Sequence, residues 1–216
     1  MSTAHRMTDV FDAVFAADRC MLHHADGSVR MLPLARWRGE DHTGAERAFD
    51  LEVVARCRSA TIDLGCGPGR LVRALAARNV VALGVDRSQV AVTIAEHHGT
   101  AILHRDIFDP LPREGHWSTA LLIDGNIGIG DDPLRVIQRA RRLIRRGGSI
   151  LVEIDPDVEH VEHDTVRVES VAGLGDWFGW ARVGLLGIED IAHESGLIVG
   201  TTWQVADRHV AELVRP

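Results

Sequence analysis

The sequence predicts an α/β fold, with a parallel sheet covered on both faces by helices. From about residue 60, short apolar runs alternate with segments of helical period, which is the pattern of βαβ units. The first four runs end at or near an aspartate: Asp63, Asp86, Asp106 and Asp124. In such sheets the ligand sits beyond the carboxyl ends of the strands.

The elements follow in order. Phe11 to Asp18 reads as a helix, and Cys20 to Leu34 as a hairpin around Asp26-Gly27. Glu46 to Arg56 is a helix leading into the first strand, Thr61 to Leu64. Arg70 to Arg78 is a helix because Leu71/Leu75 and Val72/Ala76 stack at i, i+4. Val80 to Val85 is the second run. Ser88 caps the helix Val90 to His98, and Gly99 stops it. Ala101 to His104 and Ala120 to Ile123 are the third and fourth runs. Asp132 before Pro133 opens a helix expected to reach Gly147-Gly148. Ser149 to Ile154 is the fifth run. Thr165 to Glu169 and Phe178 to Val183 read as a hairpin, and Ile188 to Ser195 as a short helix. Leu197 to Val205 and His209 to Val214 are too close in sequence to pair other than antiparallel.

The 216 residues, 45% hydrophobic and 25% charged, suit one globular domain. Its expected parts are an N-terminal helix and hairpin lid (1–58), a cofactor-binding core (59–155), and a substrate insert with C-terminal strands (156–216). No run approaches the roughly 20 apolar residues of a membrane helix. Met1 to Val10 lacks the pattern of a secretory signal. Cys20, Cys57 and Cys66 are too few and scattered for a disulfide framework, so the expected location is a reducing cytoplasm. A net charge of −7 argues against nucleic-acid binding over the whole surface. Lysine and tyrosine are absent, which excludes a lysine Schiff base and a tyrosine acid.

The segment Asp63-Leu64-Gly65-Cys66-Gly67-Pro68-Gly69 places a glycine loop between a strand and a helix. Such a loop lets a ligand approach the backbone without meeting a Cβ atom. Dinucleotide sites use G-x-G-x-x-G, but Arg70 stands where the third glycine would fall. Asp63 is a poor neighbour for a pyrophosphate. It suits the ammonium and sulfonium of S-adenosylmethionine. Asp86 is placed to accept two ribose hydroxyls. Asp106 is placed to accept an adenine amine, with the Ile107 backbone N–H reaching a ring nitrogen.

These segments resemble the class I S-adenosylmethionine-dependent methyltransferases, and look most like actinobacterial small-molecule members. The resemblance rests on Thr61 to Arg70, Leu83 to Asp86, Arg105 to Phe108, Asp124 to Gly130 and Gly147 to Glu153. It implies a doubly wound, mostly parallel seven-stranded sheet with its last strand antiparallel. It implies S-adenosyl-L-methionine as cofactor, on Asp63, Gly65, Cys66, Gly67, Asp86, Arg87, Asp106, Ile107, Asp124 and Gly125. The expected reaction is methyl transfer to an O, N, S or C nucleophile of a small molecule. A non-catalytic S-adenosylmethionine-binding regulator and an RNA methyltransferase stand as alternatives.

Candidate acceptor residues are His23, Trp37, Asn126, Trp177, Trp180 and Arg182, with Phe15 and His24 beside them. Every residue expected at the cofactor lies after residue 60, so the N-terminal segment is expected to serve the acceptor alone. Cys66 reads as a small tolerated residue rather than a nucleophile. Trp177, Phe178 and Trp180 fit either a substrate wall or a pin to the core. Arg139, Arg141, Arg142, Arg145 and Arg146 read as the solvated face of a helix. The acid and histidine segment from Asp155 to Asp164 reads as a mobile solvated loop, and no metal site is expected.

Overall fold

The computed structural model describes residues 3–40 and 44–216, with side chains from Val10 onward. The lid expected over residues 1–58 thus falls partly outside the described residues. The chain opens with α1 (Thr3–Ala16), β1 (Met21–His24), β2 (Val29–Met31), α2 (Leu34–Arg38) and α3 (Gly44–Arg56). The alternating core follows as β3 (Thr61–Leu64), α4 (Arg70–Ala76), β4 (Ala82–Asp86), α5 (Gln89–His97), β5 (Ile102–His104) and β6 (Trp117–Leu122). A short 3-10 segment (Asn126–Asp131) leads to α6 (Pro133–Leu143) and β7 (Ile144–Ile154). The remainder is β8 (Val161–Ser170), β9 (Gly173–Leu174), β10 (Phe178–Val183), α7 (Leu185–Glu194), β11 (Ile198–Val205) and β12 (Arg208–Val214).

Seven strands form the main sheet in the order β11-β12-β7-β6-β3-β4-β5. The pairings β7–β6, β6–β3, β3–β4 and β4–β5 are parallel, while β12 runs antiparallel to both its neighbours. The two sheet faces follow from strand alternation. Leu121, Ile123, Leu151 and Val210 pack under Phe49 and Val53 of α3 and Leu71 and Leu75 of α4. Ala120, Leu122, Ile150 and Val152 pack against Val136 and Ile137 of α6 and Ile188 of α7.

Two local predictions are corrected. Helix α6 ends at Leu143, not at the glycine pair. Trp117 pairs with Ile144 but Thr119 with Ser149, so β7 carries extra residues against β6. Gly147-Gly148 sits in that bulge, which leaves Arg145 and Arg146 on exposed strand rather than on a helix face. Arg139 is not solvated either. It is buried, and donates to the carbonyls of Ile107 (2.6 Å) and Asp109 (2.5 Å) and to Glu114 (2.7 Å).

A second sheet, β10-β8-β1-β2, joins the N-terminal hairpin to the late insert. Met21 pairs with Glu169, and Phe178 with Val166. The segment from Asp155 to Asp164 is therefore a turn running into β8, not a free loop. Strand β8 is held along both edges, by β1 and β10. Leu22, Val166, Val168 and Phe178 share its inner face and pack with Val14 and Ala17 at the end of α1.

Arg139 bolts α6 to the loop after β5 through otherwise unanswered carbonyls. Arg139→Met is expected to lower stability in urea unfolding by about 1–3 kcal/mol, the cost of leaving the carbonyl of buried Ile107 unpaired. Unchanged unfolding would show that water replaces the guanidinium without penalty.

Candidate active site

A cavity of about 990 Å³ lies between the carboxyl edge of the main sheet, the second sheet and helices α1 and α2. The glycine loop forms its floor. The N–H groups of Gly65 and Cys66 donate to the Val85 carbonyl (2.8 and 3.2 Å), tying the loop to β4. Asp86 accepts the N–H of Gly67 on one oxygen (2.7 Å) and that of Ser88 on the other (2.8 Å). Asn126 donates from Nδ2 to the carbonyls of Leu64 (2.9 Å) and Gly65 (2.8 Å). At Gly67 φ is +52°, and a Cβ there would stand 3.0 Å from the Phe15 ring, so a side chain is excluded on two counts. A Cβ on Gly84 would meet the Cys66 sulfur at 2.5 Å. Burial pushes the Cys66 thiol up, which keeps it from serving as a thiolate nucleophile.

The acids behave differently from one another. Asp63 is 4% exposed and has no ion-pair partner among the described residues. Burial, reinforced by the charges of Asp124 and Asp86, pushes its carboxyl up to about 8. Asp124 meets three guanidinium groups: Arg70 (2.7 Å), Arg208 (2.7 Å) and Arg36 (3.3 Å). Against burial, which alone would raise it, Arg70, Arg208 and Arg36 hold Asp124 down at about 2. Arg208 also binds Glu153 (2.7 Å) and Glu46 (3.0 Å), and Arg70 pairs with Asp50. Asp106 accepts the Phe108 N–H (2.9 Å) and pairs with Arg87 (3.2 Å).

The cavity brings together Asp63, Gly65, Cys66, Gly67, Asp86, Arg87, Asp106, Ile107, Asp124 and Gly125, along with Trp37, Asn126, Trp180 and Arg182. His23 and Trp177 are not on its wall. Strand alternation explains both. Leu22 and Phe178 take the inner face, so their neighbours point outward, where His23 meets Glu169 (2.7 Å) and Arg167 stacks on Trp177 (4.4 Å). His24 is on the inward-facing row beside Val166, with Nδ1 2.5 Å from Asp164. Both histidines thus have carboxylate partners that sequence spacing does not reveal.

Sequence reasoning missed Arg36, Arg208 and Glu153, which lie far apart in the chain and converge around Asp124. Arg70 carried a signal, because it interrupts the dinucleotide pattern. Asp12 was also missed. It accepts from Ser88 Oγ (2.6 Å) and the Val90 N–H (3.2 Å), pinning α1 to the start of α5. With Phe15 over Gly67, this sets the N-terminal segment against the glycine loop.

A parallel sheet with a glycine loop after its first strand and acids at the next strand ends defines the class I methyltransferase architecture. Residues 62–148 match the family described as methyltransferase domain. No curated protein sequence matches the chain significantly. Among solved structures, an S-adenosylmethionine-dependent methyltransferase from Bacteroides fragilis, in complex with S-adenosylhomocysteine, superposes with a TM-score of 0.79 at 16% identity. The match covers 100% of this chain and 97% of that one. Magnesium protoporphyrin IX methyltransferase from Synechocystis gives 0.64 at 15% identity over 100% and 98%. A sugar N-methyltransferase from Streptoalloteichus gives 0.58 at 18% identity over 84% and 91%. The chain thus has the class I methyltransferase fold, and its stretch 62–148 is similar to the methyltransferase domain family.

The residues present fit that cofactor. Gly65 and Gly67 of the loop line the cavity beside Asp63 and Asp86. Asp63 is an acid lacking a counter-charge, as a cationic ligand requires. Asp86 and Asp106 each keep acceptor lone pairs beyond the bonds described.

Asp63 also predicts a pH dependence. The folded state holds its proton to about pH 8, whereas an unfolded aspartate loses it near pH 4. Between those values the folded state binds more protons, so stability falls as pH rises. In the ligand-free protein, Asp63→Asn is expected to flatten this decline, read as urea midpoints at about pH 5 and about pH 8. Equal slopes in both proteins would count against a protonated Asp63.

Proposed function

We propose that the protein transfers the methyl group of S-adenosylmethionine to an O, N, S or C nucleophile of a small organic molecule, in the cytoplasm. The observation that carries this reading is the continuity of the cavity. One space joins the glycine loop and the acids to a region walled by Phe11, Phe15, Trp37, Phe178 and Trp180. Aromatic walls with a few polar groups suit a small organic ligand. The sugar and porphyrin enzymes among the structural neighbours support an acceptor of that size.

When bound, S-adenosylmethionine supplies an activated methyl carbon on a sulfonium. The protein's part is to hold, align and exclude water. Asp86 and Asp106 would hold the nucleoside end, with Ile107 beside the base. Asp63 would answer the ammonium, and the loop from Gly65 to Gly67 would receive the chain between. Phe15 and Trp37, whose ring centroids are 6.3 Å apart, would close the space from the α1 side. Trp180 stands over Gly125 and Gly128, where a Cβ would meet its indole nitrogen at 3.9 and 2.7 Å. That places a flat wall above the end of β6.

Asp86 both shapes the loop and faces the cavity. Asp86→Ala is expected to weaken S-adenosylmethionine binding by about 1.5–3 kcal/mol in calorimetric titration, the scale of lost charge-assisted hydrogen bonds. Unchanged affinity would remove Asp86 from the cofactor site. The activity is tested by incubating the protein and a panel of small acceptors with labelled S-adenosylmethionine. Tight cofactor binding with no transfer to any class of acceptor would favour a cofactor-binding regulator.

A further inference from the structure

We propose, building on the methyltransferase reading, that the acceptor carries a carboxylate and that Arg30 receives it at the cavity mouth. Arg30 is on β2, opposite Leu22, in a register that continues to Val168 of β8. Paired residues share a sheet face, and Leu22, Val168 and Arg30 all line the cavity. The guanidinium therefore looks onto the aromatic space from its rim, where solvent still reaches it.

The other arginines of that wall are already engaged. Arg36, Arg70 and Arg208 share Asp124, Arg87 holds Asp106, and Arg135 stacks on Phe108. Arg182 bridges Asp155 (3.2 Å) and Glu162 (2.6 Å). Arg30 has neither a hydrogen bond nor an ion pair among the described residues. Nearby acids do not fill the gap, since Asp155 is taken by Arg182, Asp164 by His24 and Asp131 by His163. Asp157 is at the rim and exposed. Partial desolvation, then the neighbouring Arg182 charge, lowers the pKa of Arg30, the direction that an incoming anion reverses.

Trp37 lines the same cavity and adds an apolar ring to it. A cation left free among the described residues, at the rim of apolar rings, matches a ligand with an apolar body and one anionic group. A guanidinium recognises a carboxylate by two parallel hydrogen bonds.

The test uses the full chain saturated with S-adenosylhomocysteine. Three matched probe pairs are titrated: phenylacetate and phenylacetamide, indole-acetate and indole-acetamide, naphthoate and naphthamide. At least one carboxylate is expected to bind roughly 10-fold or more tightly than its amide, the scale of a charge-assisted hydrogen bond. Arg30→Gln should abolish that preference, Arg30→Lys should retain part of it, and Arg146→Gln on exposed strand should leave it intact. Equal binding of acid and amide, a preference surviving Arg30→Gln, or no binding by any carboxylate overturns the proposal. A loss of S-adenosylhomocysteine affinity in Arg30→Gln would assign the residue to the cofactor's own carboxylate and overturn it as well. Failure of the unaltered chain to bind S-adenosylhomocysteine would instead sink the methyltransferase reading.

Discussion

The site is organised around one ionised carboxylate. Asp124, at the end of β6, is gripped by Arg36, Arg70 and Arg208, which come from α2, α4 and β12. Glu153 on β7 and Glu46 on α3 close the ring through Arg208. A buried ion pair gives little net stability unless its groups are fully answered. Here the geometry is what matters. The ring fixes the N-terminal helices, the glycine-loop helix and the last strand at one point on the sheet edge. Arg208 is the critical member, because without it Glu153 has no cation among the described residues, whereas Asp124 would keep Arg36 and Arg70.

The same ring sets the electrostatics next door. Because three guanidiniums keep Asp124 charged, Asp63 faces a fixed negative charge with no cation of its own. Burial first, and then the charges of Asp124 and Asp86, push its carboxyl up to about 8. The floor of the cavity is therefore short of one positive charge, and the rim, at Arg30, is short of one negative charge. Opposite deficits at opposite ends of one space suit two ligands of different charge.

Much of this was legible in the chain, for identifiable reasons. The strands β3, β4 and β5 and the cap at Ser88 are encoded locally, by apolar runs and a side chain that bonds its own helix. The glycine loop and the aspartates follow from strand ends, which alternate predictably. What failed was non-local. The outward turn of His23 and Trp177 depends on which residues β1 and β10 present to α1, and that is settled by pairing across the second sheet. Gly147-Gly148 looked like a helix stop because a bulge and a cap use the same residue. Arg139 looked solvated because its partners, the carbonyls of Ile107 and Asp109, carry no side-chain signature.

The second sheet also constrains the order of events during synthesis. Strand β1 cannot find its second partner until β8 has been made, after the five parallel strands of the main sheet, β3 to β7. Until then the edge of β1 that faces β8 is unpaired, the kind of surface that invites wrong pairing. Loop closure over so long a stretch is slow. Strand β12, which brings Arg208 to Asp124, emerges later still, so the acceptor wall and the ring that fixes the site can be completed only when nearly the whole chain is available.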